Sequence, residues 1–410
     1  MTGAEPPFAS LGIYLGRQHV GDLSLLPNDF TEFKLTEAYR ELPRRPVLGQ
    51  AFEDEPSAVH RSRMALPPFF SNLLPEGRLR ELVAERQVFA PSREFFLLAR
   101  LGEDLPGDVR AIATGPLTGL EVSNSQETQA AQTSPLKFSL AGVQLKLSML
   151  REGRGLTLPA SGRGGDWIVK LPGSTFKGVP ENEFATMKWA SLVGINVPTV
   201  ELVQVSELTG LPVGLVTGGE TALAIRRFDR PSPDLRVHIE DFAQILGKYP
   251  GEKYRSTNYE TVGRIILRTA GELAFEEFVR RLAFILVSAN ADAHIKNWSL
   301  IYPDRVRAEL SPAYDLVSTI EFIHPDELAL NLGKTKTWDR FTLERFNTFA
   351  ERIGADPQKV NRLVREVVEK ALDVWPTIMR DHHVSETLAA RLEEHWKIVP
   401  LIGEVTARSS

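Results

Sequence analysis

Two acidic residues and one asparagine in the second half of the chain constrain its fold most strongly. Asp292 is followed five residues later by Asn297, and Asp315 comes after a further short stretch. The residues from 278 to 289 have the apolar spacing of a buried helix, and those from 298 to 302 have the composition of a strand. A loop held between a helix and a strand can project polar side chains in fixed directions. The sequence therefore predicts a rigid polar loop around Asp292 and Asn297.

This order of side chains is typical of protein-kinase-like enzymes. In those enzymes an Asp of the catalytic loop accepts the proton of the attacking hydroxyl. The Asn five residues on, together with a later Asp, holds the magnesium ions that bridge the ATP phosphates. Each feature alone has an ordinary alternative, since Asp292 and Asn297 could belong to a polar turn and Asp315 could be a helix N-cap. Their occurrence in this order favours a phosphoryl-transfer site.

The composition excludes several other classes of site and protein. With 410 residues, 42% hydrophobic and 25% charged, the chain has enough material for two or three packed globular units. It has no cysteine, which excludes disulfides, thiolate nucleophiles and cysteine-based metal sites. A net charge of −5 argues against broad coating of nucleic acid by this chain alone. Neither a signal peptide nor a membrane-spanning run is recognisable, so we expect a cytoplasmic protein without membrane contact.

Changes in composition along the chain predict four segments. Residues 1–116 mix short apolar strands with helical stretches, and residues 117–136, rich in Ser, Thr and Gln, are expected to form a flexible linker. Residues 137–230 show strand patterns around one helix, whereas residues 231–410 are mostly helical, with a long amphipathic helix after Asp356-Pro357. We therefore predict an α+β, two-lobe protein-kinase-like fold. It would have a small β-rich N-lobe, a mostly α-helical C-lobe with the catalytic loop and metal site, and an extra N-terminal α/β subdomain.

The strand-rich segment contains two residues that could orient ATP. Lys170 lies on a predicted strand from 167 to 171, where its ammonium group could reach the α- and β-phosphates. Glu183, in the first turn of a helix predicted from 181 to 193, could form the strand-to-helix ion pair that an active kinase needs. Taken singly, Lys170 could be a solvated edge residue, and Glu183 could only complement the helix dipole. The turn from 139 to 147 could cover phosphates, although it matches neither the Walker A nor the G-x-G-x-x-G pattern.

Several further motifs occur in a fixed order along the chain. They are Pro68-Phe-Phe-Ser-Asn-Leu-Leu-Pro, Leu98-Ala-Arg-Leu-Gly, Ser139-Leu-Ala-Gly-Val-Gln-Leu-Lys, Asp166-Trp-Ile-Val-Lys-Leu-Pro, Glu181-Asn-Glu-Phe, Arg227-Phe-Asp-Arg, Glu240-Asp-Phe, Ala291-Asp-Ala-His-Ile-Lys-Asn-Trp-Ser and Pro312-Ala-Tyr-Asp. Together they resemble the HipA toxin kinases, which are Ser/Thr kinases of type II toxin–antitoxin modules. The resemblance runs from about residue 137 to 320, and the first two motifs extend it into an N-terminal subdomain.

The resemblance implies a role for each matching position. Asp292 is implied to be the catalytic base, Asn297 and Asp315 to bind Mg²⁺, and Lys170 to contact the ATP phosphates. Ser139 is implied to be the phosphate-loop serine that family members autophosphorylate, which ejects the loop and inactivates the kinase. The positions expected to bind ATP are Ser139, Ala141, Gly142, Val143, Lys146, Lys170, Glu183, Arg226, Phe228, His294 and Lys296.

The resemblance also implies a biological setting. The family phosphorylates aminoacyl-tRNA synthetases, which inhibits translation and growth. A small helix-turn-helix antitoxin of the HipB type neutralises it, and we expect contact with operator DNA only through that complex. Two alternatives are a small-molecule kinase of the aminoglycoside or choline type and a non-catalytic member that only binds antitoxin and DNA. The former usually has His where this chain has Asn290, and the presence of all the kinase residues argues against the latter.

Two regions depart from the family pattern. Arg226 stands where the family usually has Glu, so adenine recognition at this hinge is expected to rely on backbone groups. The segment from 250 to 258 does not match well, which leaves the substrate-side contacts unassigned. Within the catalytic loop, His294 and Lys296 could contact phosphate. Equally, His294 could support the loop and Lys296 could be solvated.

Overall fold

The computed structural model describes residues 9–77, 79–81, 91–115, 145–153, 155–159, 164–173, 176–211, 215–216, 219–232, 234–255, 257–323 and 327–407. The predicted linker from 117 to 136 lies outside the described residues, and the segment boundaries drawn from composition stay a prediction. Within the described ranges, no helix has both the length and the apolar character needed to cross a membrane.

The described N-terminal residues form an antiparallel five-stranded sheet with short helices packed against it. The strands are β1 Ala9–Leu15, β2 Gln18–Leu26, β3 Phe30–Leu35, β4 His60–Arg63 and β5 Val109–Ala113, in the spatial order β4-β3-β2-β1-β5. The helices are α1 Glu37–Arg40, α2 Pro68–Ser71 and α3 Glu94–Leu101. Alternation along β1 buries Leu11, Ile13 and Leu15 on one face. This core continues into the next sheet through Leu147 and Val169, so the N-terminal part packs directly on the rest of the molecule.

A second sheet has six strands among the described residues. They are β6 Lys146–Glu152, β7 Gly155–Thr157, β8 Trp167–Lys170, β9 Val200–Gln204, β10 Leu208–Thr209 and β11 Thr221–Arg226, in the order β10-β7-β6-β8-β11-β9. Helix α4, Val179–Val193, packs against β9 and β11. The antiparallel register of β6 and β8 places Lys146 directly opposite Lys170. Because residues opposite each other in a sheet share a face, both lysines project from the same side.

The remaining part is mostly helical and includes a small sheet. Its strands are β12 His238–Asp241, β13 Ser299–Tyr302 and β14 Glu309–Leu310. Its helices are α5 Phe242–Ile245, α6 Tyr259–Thr269, α7 Glu272–Val287, α8 Leu343–Ile353, α9 Pro357–Asp381, α10 Glu386–Ile398 and α11 Pro400–Thr406. Helix α9 begins as predicted, because the Asp356 side chain accepts the backbone N–H of Gln358 at 2.9 Å and Pro357 is the first helical residue. Its apolar stripe packs on α4, α7 and α8, which confirms the predicted amphipathic helix.

A buried cluster of charges joins the N-terminal part to the second sheet. Asp229, just after β11, accepts hydrogen bonds from Arg227 at 2.7 and 2.9 Å and from Arg230 at 2.8 Å. It also accepts the backbone N–H of Gly107 at 2.9 Å, and Arg230 contacts Asp104 at 3.3 Å. Burial disfavours the Asp229 charge, but the two arginines outweigh burial and hold the pKa of Asp229 well below its usual range. The segment after β11 is thereby fixed to the N-terminal part.

We expect Asp229→Ala to destabilise the protein strongly. Removing the carboxylate leaves two buried guanidinium groups without their central partner, which costs about 3–5 kcal/mol. Asp22→Ala is the matched control, because Asp22 pairs with His19 near the surface and exposed pairs contribute about 1 kcal/mol or less. Urea unfolding of both variants measures the change in the free energy of unfolding. Equal changes in the free energy of unfolding of the two variants would contradict a stabilising role of the buried cluster.

Candidate active site

A cleft lies where the second sheet, the loop from 288 to 298 and the N-terminal part meet. Its empty volume, which includes open solvent, is about 930 Å³. Ile168 and Ile225 form part of its apolar lining on the side of the second sheet. The polar residues that line it include Asn72, Lys146, Lys170, Arg226, Asp241, Lys296, Asn297 and Asp315.

Lys170 is held between two carboxylates in this cleft. Its Nζ atom forms ion pairs with Oε1 of Glu183 and Oδ1 of Asp315. Lys146 pairs with the other oxygen of Asp315 at 2.8 Å. Lys170 lies on an inner strand and is 3% exposed, so it is not a solvated edge residue. Glu183 is the fifth residue of α4 and 2% exposed, so it is not a surface charge of the first helical turn either.

The charges of this cluster control one another's protonation. Burial opposes the charge of Lys170, but Asp315 and Glu183 outweigh burial and raise the pKa of Lys170. Burial likewise opposes the ionisation of Asp315, yet Lys146 and Lys170 hold the pKa of Asp315 below its usual range. Burial lowers the pKa of Lys146 despite its contact with Asp315. Two ammonium groups at one point of the cleft are suited to a ligand with several anionic oxygens.

The backbone at Asp315 has an unusual conformation. Its φ angle of 54° lies in the left-handed region, which residues other than glycine rarely adopt. The next helical turn, Thr319–Glu321, begins after Ser318, so the alternative of Asp315 as a helix N-cap is wrong. Such strain persists only where surrounding contacts impose it, and it is frequent at functional sites. Here the ion pairs with Lys146 and Lys170 hold the carboxylate towards the cleft.

The loop from 288 to 298 is closed by hydrogen bonds that involve its own side chains. Asn297 donates from Nδ2 to the carbonyl oxygen of Asp292 at 2.8 Å, which joins the two ends of the predicted motif. Oδ1 of Asn290 accepts the backbone N–H of Asp292 at 3.0 Å, and the carbonyl oxygen of Ala293 accepts from the Tyr259 hydroxyl at 2.9 Å. Because Nδ2 is used within the loop, Oδ1 is the atom of Asn297 that could bind a cation.

His294 and Lys296, the other predicted residues of this loop, are both buried. The His294 ring packs edge-on against Tyr254, with centroids 5.0 Å apart, and burial lowers the pKa of His294 to about 4. Lys296 pairs with Glu76 at 2.9 Å and donates to Oδ1 of Asn72 at 2.9 Å. The alternative of a solvated Lys296 is therefore wrong. Lys296 lies among the residues that line the cleft, whereas His294 does not.

Arg226, the last residue of β11, and Phe228, two residues later, both line the cleft. Arg226 pairs with Asp166, and its guanidinium carbon lies 5.9 Å from the centre of the Trp167 ring. Its charge is thus used within the protein, which favours backbone recognition of a ligand at this position. Phe228 packs against Tyr314, with ring centroids 5.8 Å apart. Four further predicted positions lie outside the described residues and stay predictions: Ser139, Ala141, Gly142 and Val143.

Sequence reasoning missed three residues that contact the predicted loop. The Tyr254 hydroxyl donates to Oδ1 of Asp292, while Glu76 and Asn72 both contact Lys296. Tyr254 belongs to the segment that departs from the family pattern, so nothing in the sequence marked it. Asn72 lies in one of the family motifs, but no spacing rule links that motif to the loop.

The cleft contains side-chain oxygen atoms of the kind that bind Mg²⁺. In the described part of the chain, no three His, Asp or Glu side chains are grouped as a metal site. Asn297 and Asp315 nevertheless line the same cleft. Mg²⁺ is usually bound by one or two protein oxygens together with substrate phosphates and water. Asn297 and Asp315 would therefore hold the ion in combination with a phosphate ligand.

Comparisons with known proteins identify the family of this chain. A model of the HipA-like C-terminal domain matches residues 138–375, and a model of the HipA N-terminal domain matches residues 11–112. Y4dM of Sinorhizobium fredii, provisionally named a kinase, is 42% identical over 409 residues, with 97% of this chain and 99% of Y4dM aligned. The serine/threonine-protein kinase toxin HipA of Shewanella oneidensis is 24% identical over 387 residues, or 82% of this chain and 85% of that protein.

A solved structure shares the fold. In the complex of Shewanella oneidensis HipA, HipB and operator DNA, one chain matches with a TM-score of 0.72 at 20% identity. The match covers 96% of this chain and 99% of that chain. The predicted α+β, two-lobe kinase-like fold is thereby confirmed. By its family models, its sequence relatives and its fold, this chain belongs to the HipA family of kinases.

Proposed function

We propose that this chain is a HipA-like protein serine/threonine kinase that transfers the γ-phosphate of ATP to a protein hydroxyl with the help of Mg²⁺. One observation carries the proposal. The lysine–carboxylate cluster, formed by Lys146, Lys170, Glu183 and Asp315, lies in the same cleft as Asn297 of the polar loop. Residues for a phosphate site and for a divalent-cation site therefore share one cleft. The candidate base Asp292 does not line the cleft itself but is joined to it through Asn297, whose Nδ2 atom donates to the Asp292 carbonyl oxygen.

Each step of the transfer has a residue suited to it. Lys146 and Lys170 carry the charge to bind the phosphates, and Asp315 with Asn297 offers oxygen ligands for Mg²⁺. The bound ion would neutralise charge on the phosphates. Asp292 would take the proton of the attacking substrate hydroxyl. The hydroxyl oxygen would then bond to the γ-phosphorus, while the bond between that phosphorus and the oxygen that leaves with ADP breaks.

The contacts of Asp315 describe how the cluster would respond to nucleotide. Both of its oxygens are occupied by ammonium groups. When phosphate oxygens bind Lys146 and Lys170, the Asp315 carboxylate would become free to bind Mg²⁺. Glu183 would remain as the counter-ion of Lys170. In this exchange no buried charge is left without a partner, which avoids the main cost of moving ion pairs inside a protein.

We also propose the biological role that the family implies. The substrate would be an aminoacyl-tRNA synthetase, so that activity inhibits translation and growth, and autophosphorylation of Ser139 would inactivate the kinase. A HipB-like helix-turn-helix antitoxin would neutralise it and provide the contact with operator DNA. The structural neighbour is a HipA chain in a complex with HipB and operator DNA, which supports these partners. The net charge of −5 disfavours direct DNA coating by this chain.

The wild-type protein is expected to transfer phosphate from ATP only with Mg²⁺, and Asp292→Ala to lower the rate at least ~10²-fold, because it removes the base. Asp339→Ala is the control, since the Asp339 side chain is 59% exposed. Radiolabel transfer from ATP by purified variants gives the rates. Near wild-type labelling by Asp292→Ala would rule out Asp292 as the base.

Phosphorylation of Ser139 should abolish nucleotide binding. The modification adds roughly −1.5 to −2 charges, and in the implied phosphate loop these would compete with ATP for Lys146 and Lys170. Ser139→Asp should weaken binding in the same direction, whereas Ser139→Ala should retain it. Calorimetric titration of ATP into the three proteins measures the affinities. If the phosphorylated protein binds ATP like the unmodified one, either Ser139 is only a turn residue or the loop tolerates the added charge.

Expression without a partner should arrest growth through inhibited translation, because a phosphorylated synthetase leaves one tRNA uncharged. The arrest should require Asp292 and Lys170 and be reversed by a cognate helix-turn-helix protein. Growth and tRNA charging are measured after induction of wild type and Asp292→Ala. If wild type affects neither but phosphorylates an added metabolite, the small-molecule kinase replaces the toxin as the better description.

A further inference from the structure

Glu76, a residue of the N-terminal part, contacts one lysine within the polar loop and one in the segment from 250 to 258. Its Oε2 atom lies 3.1 Å from Nζ of Lys253, and its Oε1 atom lies 2.9 Å from Nζ of Lys296. The three side chains are at most 17% exposed. Burial opposes the charge of Glu76, but Lys296 and Lys253 outweigh burial and lower the pKa of Glu76. One ionised carboxylate therefore bridges two segments that are distant in sequence.

Lys253 is connected to Asp292, the candidate base, through the residue that follows it. The next residue, Tyr254, donates its hydroxyl hydrogen to Oδ1 of Asp292, and its ring packs edge-on against His294. The carbonyl oxygen of Lys253 also accepts the backbone N–H of Ile295 at 3.4 Å. A shift of Lys253 would therefore move the hydroxyl that holds the Asp292 carboxylate.

Lys296 is connected to the candidate metal ligand, Asn297, because it directly precedes that residue in the chain. Its Nζ atom donates to Oδ1 of Asn72 at 2.9 Å and lies 3.7 Å from Oδ2 of Asp241. Asn72 is itself oriented, since its Nδ2 atom donates to the carbonyl oxygen of Lys248 at 2.7 Å. The lysine is thus anchored by directional contacts, and its position sets that of Asn297.

We propose that Glu76 is a positioning residue for phosphoryl transfer, by which the N-terminal part holds the base and the metal ligand of the polar loop in their relative places. This inference rests on the proposed kinase function and gives the N-terminal part a role in phosphoryl transfer. Phosphoryl transfer depends largely on positioning, and displacements of about 1 Å can cost about 10²-fold in rate. Glu76 itself touches neither the lysine–carboxylate cluster nor Asp292 through any described hydrogen bond or ion pair.

Glu76→Gln tests the proposal, because it keeps the size of the side chain and removes its charge. We expect kcat at saturating ATP and Mg²⁺ to fall about tenfold to hundredfold. The affinity for ATP measured without Mg²⁺ should stay at the wild-type value, since Lys146, Lys170 and Asp315 keep their partners. Glu53→Gln is the matched control. Glu53 also pairs with a cation of the N-terminal part, Arg45 at 2.6 Å, but no described hydrogen bond or ion pair joins Glu53 to the polar loop.

Tyr254→Phe provides a second variant that retains the fold, because it removes one hydroxyl from a ring that is 41% exposed. It should also lower kcat without changing ATP affinity. Because Glu76 acts partly through Tyr254, the double variant should lose less than the product of the two single losses. A Glu76→Gln protein with wild-type kcat, or with kcat and metal-free ATP affinity reduced together, would overturn the positioning role. A wild-type protein without any transferase activity would overturn the proposed function and this inference with it.

Discussion

The ion pairs of Lys170 connect the elements on which the site depends. Strand β8 supplies the lysine, helix α4 supplies Glu183, and the segment after β14 supplies Asp315. Because these groups are buried or nearly so, removing one would leave an uncompensated charge in surroundings of low dielectric constant. The placement of α4 on the sheet and the left-handed backbone of Asp315 are therefore linked to one ammonium group. A phosphate ligand that binds the Lys170 ammonium group would therefore alter the contacts of all three elements.

The N-terminal part belongs structurally to the same site. It shares an apolar core with the second sheet, and it contributes Asn72 and Leu74 to the lining of the cleft. The N-terminal part makes both apolar contacts and charge-assisted hydrogen bonds, and these differ in their effect. Apolar burial is not directional and mainly holds the parts together, whereas the charge-assisted hydrogen bonds of Asp229 and Lys296 set orientation. The geometry of the cleft thus depends on a segment that sequence patterns would place outside the kinase lobes.

Local patterns predicted most of the elements that carry the site. The strand expected from 167 to 171 corresponds to β8, a short run that is buried throughout. The long amphipathic helix corresponds to α9, because its periodicity directly reports which face is buried. Helix α4 begins at Val179, earlier than predicted, which moves Glu183 into the second turn. The general preference for acidic residues near a helix N-terminus could not reveal that this carboxylate is buried. Its partner lies on another element.

The sequence by itself determined the order and spacing of Asp292, Asn297 and Asp315, and it offered a strand lysine and a helix glutamate as a candidate pair. These features lie within one element or between neighbouring ones, where spacing has geometric meaning. Only the tertiary structure decided that Lys146 faces Lys170, that Tyr254 holds Asp292 and that Asn72 holds Lys296. The last two contacts join residues 38 and 224 positions apart. No periodicity connects such residues, because their proximity follows from how separate elements pack, and packing depends on the whole buried surface.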